Sequence, residues 1–296
     1  MNANTKPVIF DGHNDLLTRL WLSSAADPVH DFIYGTLPGH LDLQRCKDAN
    51  WMGGLFSIFL PPYAYVKNNH PDKLANPSHS DFTPQEIVDI CCAQLKLAQQ
   101  LEARSDGQIQ ICTSLEQIQA CQQNQQLAIV LHLEGAEFLA IQPELLDVFY
   151  DAGLRSIGPL WNRKSLFGDG LNASFPHSPD TGSGNLTDQQ LAAIKQSDGL
   201  VGVNFDVAFL RADGQRNTQT SLDVIVDHLD YLIDHLGEDH VGFGSDFDGC
   251  LLPDELSDIS QISMLIERMQ QRHFSNQLIE KVTSKNWFTV LDKVWQ

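Results

Sequence analysis

Basic residues are scarce in this chain. Nineteen Lys and Arg face 38 Asp and Glu over 296 residues, for a formal charge of -19, which repels phosphate backbones and anionic membrane surfaces and weighs against nucleic acid or membrane as a partner. Long apolar runs are missing too: none approaches the roughly 20 residues of a membrane span. The opening MNANTKP lacks the charged and apolar regions of a signal peptide. A cytoplasmic location is the expectation. Cysteine is limited to Cys46, Cys91, Cys92, Cys112, Cys121 and Cys250, without a CxxC pair, so reduced, mostly buried thiols are expected rather than a disulfide framework or a zinc knuckle. No internal repeat, low-complexity region or composition shift divides the chain. Residues 1–296 are therefore read as one domain, with a linker-like stretch, PHSPDTGSGN, at 176–185.

What is present is ordinary globular composition, 42% hydrophobic and 19% charged, arranged in a repeating order. VIFDGHND begins with three apolar residues, Val8, Ile9 and Phe10, that read as a buried strand, and ends in His13 and Asp15. If the backbone stays extended, those two side chains share one face, and an imidazole beside a carboxylate is a metal-ligand pair. A helix N-terminus capped by Asn14 or Asp15 would also account for the pattern. WMGGLFSIFL, from Trp51 to Leu60, reads as a second buried strand whose glycines permit close packing. A helix follows with Thr83 as cap, Pro84 at its first position and Glu86 closing a capping box. LAIVLHLE, from Leu127 to Glu134, repeats the first pattern, with His132 on the same face as Glu134. Further strands are expected at Leu154–Trp161, Gly199–Asp206 and in HVGFGSDFDG, which ends in Asp246 and Asp248; helices near 144–151, 188–197 and from Ser221 lie between them. This alternation predicts an α/β fold with a parallel sheet, and polar residues at the carboxyl ends of several strands place a site as a (β/α) TIM barrel does.

Taken together, VIFDGHNDLL, LHLEGAEF, GLVGVNFD and HVGFGSDFDG resemble the membrane (renal) dipeptidase family of zinc metallopeptidases, in its soluble bacterial branch, from about Val8 to Trp287. The resemblance implies a barrel of the metal-dependent amidohydrolase type that carries two zinc ions. It implies His13 and Asp15 as metal ligands, Glu134 as a bridging ligand with a catalytic part, and Asp246 near the substrate amino group and the proton transfers. The implied activity is hydrolysis of the peptide bond of a dipeptide by a metal-bound hydroxide, often with tolerance for a D-residue on the C-terminal side.

The chain departs from that pattern at one place. It passes from SPDTG, Ser178 to Gly182, almost directly into NLTDQQL, so that roughly fifty to sixty residues of the family pattern have no counterpart, about two βα units on barrel dimensions. The resemblance puts two zinc-ligand histidines and a substrate-binding arginine in that segment. Six strands are therefore counted where a closed barrel has eight, and at most one tightly held zinc is expected. Unpaired strand edges imply an opened barrel, direct pairing across the gap, or completion in a homodimer. His132 and His177 are the candidate substitute ligands, although His132 also reads as a hydrogen-bonded barrel histidine. Trp161 stands where mammalian members carry a histidine and is read as packing or pocket wall. His228 and His235 fall off the apolar face of their helix and are expected in solvent; His30, His40, His70, His79, His240 and His273 show no ligand-like spacing. Two classes of function remain open: a zinc dipeptidase of reduced activity, or a noncatalytic dipeptidase-like scaffold. Another amidohydrolase, such as a lactonase or deaminase, is the narrower alternative.

Overall fold

The computed structural model describes residues 6–35, 38–170 and 185–295. Their framework is seven strands: β1 (Ile9–Asn14), β2 (Trp51–Phe59), β3 (Ile109–Ile111), β4 (Leu127–Glu134), β5 (Leu154–Gly158), β6 (Val201–Val203) and β7 (Val241–Phe243). Every pairing between them is parallel, as helical crossovers require. The sequence reading counts six strands and misses β3. That strand is three residues long with Gln110 at its centre, too short to show a period, and it pairs only with the first part of β4, Leu127–Ile129. β5 occupies the remainder of the same edge, opposite Leu131–Glu134. The strands that reach the site are thus the six expected ones.

All nine residues of β2 are buried, as befits a strand covered on both faces. Gly53 is obligatory there: its φ is +141° and a Cβ would lie 1.9 Å from the Ala128 carbonyl oxygen of β4. The long helix Pro84–Arg104 starts as predicted, with the Thr83 and Glu86 capping box and Pro84 in its first turn. It contributes more than an apolar face. Gln94, fully buried, donates to the Phe59 carbonyl (2.6 Å) and accepts from the Phe59 N–H (2.9 Å), beyond the stretch of β2 that β1 pairs.

β6 and β7 form their own parallel pair, and the chain beyond β7 joins them to β1. Asn14 bridges Phe247. The Asp246 N–H donates to the His13 carbonyl (3.0 Å), and the Asp15 N–H to that of Phe247 (2.8 Å). The order around the site is therefore β5, β4, β2, β1, β7, β6. Among the described residues no ladder connects β5 to β6, so the barrel is open on that flank. An apolar groove of about 690 Å³ fills the gap, lined by residues that include Trp161, Leu191, Val203, Phe209 and Leu232. His228 also lines it and, contrary to the expectation of a solvated residue, is half-buried with Nε2 3.1 Å from the Leu210 carbonyl oxygen.

The last helix, Asn286–Val294, closes the other side. Its Trp287 donates through Nε1 to the Phe243 carbonyl (2.8 Å) and lies flat against two glycines: a Cβ on Gly12 would come within 2.0 Å of the indole, and one on Gly242 within 2.6 Å.

Candidate metal centre

An open cleft of about 810 Å³ lies at the carboxyl ends of the strands. Three strand ends deliver four acidic or imidazole groups: His13 and Asp15 from β1, Glu134 from β4 and Asp246 from beyond β7. His13 Nε2 is 3.3 Å from Glu134 Oε2, 3.8 Å from Asp15 Oδ1 and 3.9 Å from Asp246 Oδ1. Ligand atoms of His13, Asp15 and Asp246 lie within 4.8 Å of one another, a grouping able to hold one metal ion. The structure thus brings together His13, Asp15, Glu134 and Asp246, and it adds Asp246 to the two candidates from β1.

The local structure explains why these side chains are free to converge. Asp15 occupies the cap position of the helix Leu16–Leu22, but its side chain makes no capping bond; the Leu16 N–H is taken by Asn14 Oδ1 (3.3 Å) instead. Asn14 thereby performs the capping task and leaves the Asp15 carboxylate to the cleft, where Ser57 Oγ donates to its Oδ1. Asp246 and Asp248 both adopt left-handed backbone, with φ of 61° and 69°, a conformation that costs an L-residue roughly 1–2 kcal/mol. The turn is held against that strain. The Asp248 side chain is fully buried, forms an ion pair with Arg19 Nε at 2.9 Å and accepts the His40 N–H at 2.7 Å, while the Asp248 N–H donates to His40 Nδ1 at 2.8 Å. Gly249 gives the two ligand carboxylates room: a Cβ there would sit 2.0 Å from Asp15 Oδ2 and 2.4 Å from Asp246 Oδ1.

The electrostatics follow from crowding acids in a buried place. Burial, then the neighbouring Glu134, raises Asp15 well above the usual carboxylate range. Burial pushes Asp246 up to about 6, against the pull of His13 and the hydrogen bond from Asn204 Nδ2 (2.9 Å to Oδ2). For His13 burial alone would favour the neutral ring, but Glu134 and then Asp15 and Asp246 outweigh it and push the imidazole up to about 10. Asp11, beneath the site, is raised by burial to about 6 although Ser245 donates to it through backbone and side chain.

His132 stands beside the centre, its ring 6.0 Å from that of His13. Its Nδ1 is engaged by Ser156 Oγ at 2.7 Å, and burial, then the charge of His13, lowers it to about 4. His177 lies outside the described residues, as does most of the 176–185 junction. Trp161 lines both the cleft and the apolar groove and packs edge-on against Phe59, ring centroids 4.6 Å apart. Sequence reasoning passed over Ser57, Asn204, Arg19 and His40. Asn204 alone carried a signal, being the polar residue that directly follows the apolar run GLVGV.

The model of the membrane dipeptidase family (peptidase family M19) matches residues 3–184 and 173–296. A curated protein of Acinetobacter calcoaceticus, described as an uncharacterized protein in the PQQ-III 3' region, is 52% identical over 283 aligned positions that cover 77% of this chain and 90% of the relative. Among solved structures, the dipeptidase AC, a metallo peptidase of family M19, superposes with a TM-score of 0.86 at 30% identity over 98% of this chain and 99% of its own. A metallo peptidase from Rhodobacter sphaeroides, liganded with a phosphinate mimic of the dipeptide L-Ala-D-Ala, gives 0.85 at 28% identity over 98% and 100%.

Proposed function

This chain belongs to the membrane dipeptidase family, peptidase family M19, and from that premise we propose that it is a zinc-dependent dipeptidase holding one ion at the mouth of its open barrel. The observation that carries the reading is the convergence of His13, Asp15, Glu134 and Asp246 on one point of the cleft. The donor set suits zinc, one imidazole nitrogen with carboxylate oxygens. Buried acids raised well above their ordinary range are the groups a divalent cation would relieve.

His13 and Asp15 would hold the ion, with Asp246 near enough to join them when deprotonated and Glu134 beside His13. When bound, zinc would polarise the scissile carbonyl and make the attacking water more acidic. The chain's own groups do the rest. Glu134 accepts the proton that leaves the attacking water. Asp246 delivers a proton to the amine nitrogen as the peptide C–N bond breaks, and Asn204, bonded to Oδ2, keeps Oδ1 turned toward His13. Trp287 and Trp161 both line the cleft.

Activity below the family's ordinary level is part of the reading. The family model fits in two overlapping pieces, and 77% of this chain is about 228 residues, fewer than the 283 aligned positions of the Acinetobacter relative. Both support a missing segment at 176–185. The open flank between β5 and β6 favours a second reading, a noncatalytic scaffold on the same barrel. It also supports a homodimer that covers the exposed Ile157 and Tyr231. A cytoplasmic setting agrees with six free thiols and with no helix among the described residues long and apolar enough to cross a membrane. The deciding experiment is zinc stoichiometry measured alongside turnover of simple dipeptides: one ion with slow turnover supports the proposal, an ion without turnover leaves the scaffold, and no bound ion overturns both.

A further inference from the structure

We infer that Cys112 and Cys121 form an oxidative modification site, a dithiol that a peroxide closes to a disulfide and a small thiol reopens. The two sulfurs lie 3.6 Å apart, and no other pair of the six described cysteines makes a sulfur–sulfur contact. Cys91 and Cys92, though adjacent, sit in one helix, Pro84–Arg104, where neighbours in sequence point to different faces. Nor does the pair belong to a metal site. Among the described residues, the one group of three ligating side chains close enough to hold an ion is at the cleft.

Both partners are positioned by the structure around them. Cys112 follows β3, and its N–H donates to the Ile129 carbonyl of β4 at 2.8 Å. Cys121 lies in the helix Leu115–Gln123. The start of that helix is tied down: Ser114 Oγ accepts the Gln117 N–H (3.4 Å), and Gln117 Oε1 accepts from the N–H and the hydroxyl of Thr113 (2.6 and 3.1 Å). Its end is tied as well, the Gln126 N–H donating to the Cys121 carbonyl at 2.9 Å. Gln110 then serves both sulfurs, with its carbonyl oxygen 3.7 Å from Cys112 Sγ and its Oε1 3.4 Å from Cys121 Sγ. A disulfide needs a separation of about 2.05 Å, so the sulfurs must close by roughly 1.5 Å, within reach of small χ1 rotations.

The same contact sets the order of reaction. The hydrogen bond from Cys112 lowers the Cys121 thiol against the opposing effect of burial, while that contact, then burial, raises Cys112. Cys121 is thus the thiolate former and the first nucleophile. Its helix buries only Ile118 and Cys121, and Cys121 stands in the last turn, where local opening admits a molecule as small as hydrogen peroxide. The thiolate attacks one peroxide oxygen: an S–O bond forms, the O–O bond breaks, and the departing hydroxide takes up the proton that Cys121 released, leaving as water. The Cys112 thiol then attacks the Cys121 sulfur. The S–S bond forms, the S–O bond breaks, and a second water leaves with the Cys112 proton. Two thiols are oxidised and one peroxide is reduced, whether or not the chain turns dipeptides over.

The test treats the zinc-loaded full chain, reduced and freed of reductant, with hydrogen peroxide near neutral pH, then alkylates it in denaturant and maps its peptides by mass spectrometry. Free thiols should fall by two from six, a Cys112–Cys121 cross-link should account for the loss, and dithiothreitol should restore them all. Cys112→Ser should leave Cys121 as a sulfenic acid that dimedone traps, whereas Cys121→Ser should leave Cys112 a thiol. Because the bridge closes a loop of about ten residues, the linked protein should melt roughly 2 to 8 °C above its reduced form. Three results overturn the inference: Cys112 and Cys121 still free once the half-buried Cys92 and Cys250 are oxidised, a cross-link to any other cysteine, or a linked form that melts no higher than the reduced one.

Discussion

His13 Nε2 stands 3.3 Å from Glu134 Oε2 although β2 separates their strands in the sheet. Asn14 pairs with Phe56 and Glu134 with Phe59, so β4 runs further along β2 than β1 does, and the two side chains meet across the mouth of the sheet. Each group sets the other's chemistry, and the consequences are measurable.

The first is a pH dependence of the metal-free protein. His13 is raised from its ordinary 6.5 to about 10, so its contribution to stability is present below about 6.5 and is lost as pH rises through about 10. Asp246, raised from 3.8 to about 6, also binds its proton more tightly in the folded state, and its contribution is lost as pH rises from about 4 through 6. Chelated protein should therefore melt at progressively lower temperature across both windows. Zinc must displace the His13 proton, so its affinity should rise with pH and binding should release protons. Thermal melts with chelator and with zinc at pH 5, 7 and 9 check this; a zinc-induced increment that shrinks with pH contradicts it.

Asn204 should tune the acid. Its hydrogen bond favours the charged form of Asp246, so Asn204→Ala is expected to move upward the alkaline limb of the pH–rate profile, on which the proton donor is lost. As the loss of a group that orients a candidate ligand, it should also weaken zinc binding by about 10- to 100-fold. An unshifted limb would detach Asn204 from the chemistry.

Gly249→Ala is predicted to be a binding-site lesion rather than a folding one. The new methyl would overlap Asp15 Oδ2 and Asp246 Oδ1, and both carboxylates must turn aside. Zinc affinity should fall by at least about 10-fold, with the circular dichroism spectrum unchanged. Gly214→Ala is the control: nothing lies within 4 Å of its added Cβ, and only the positive φ is penalised, at roughly 1 kcal/mol.

How much of this was legible in the sequence depended on whether a residue announced itself by position. His13, Glu134 and Asp246 follow apolar runs directly, and strand ends of a parallel sheet meet at one mouth. Asp15 was readable only as one of two alternatives, because a capping role fits the same place until Asn14 is seen to fill it. Ser57 sits inside a strand buried throughout, where no period distinguishes a residue reaching across to Asp15. Arg19 and His40 meet Asp248 across more than 200 positions, beyond any local pattern. The open flank, by contrast, was visible as material the chain lacks.

That flank makes a prediction about assembly. Among the described residues β5 has one neighbour, β4, and β6 has one, β7, and the apolar Ile157 and Tyr231 beside the gap are 43% and 46% exposed. Unpaired strand edges with apolar surroundings recruit further chains. Sedimentation should show a dimer that Ile157→Lys converts to monomer; a monomeric wild type at micromolar concentration would remove the homodimer from the reading.

The last prediction separates lineage from activity. On the family reading, the segment without a counterpart near residues 176–185 carries two ligand histidines and a carboxylate-binding arginine. Loss of one electrostatic stabiliser commonly costs roughly 10² to 10³ in rate, so turnover of simple dipeptides should fall far below the ordinary range of about 1 to 10³ per second. Inserting a family-type segment between Gly182 and Asn185 should raise turnover and bring zinc from one ion per chain to two, and Asp246→Ala in that restored protein should abolish turnover again. If the chain as it stands already works at ordinary rates with two ions bound, the missing-ligand argument fails. The second ion would then have to be held by groups read here as structural, His132 first among them, and freeing its Nδ1 from Ser156 would be the step to test.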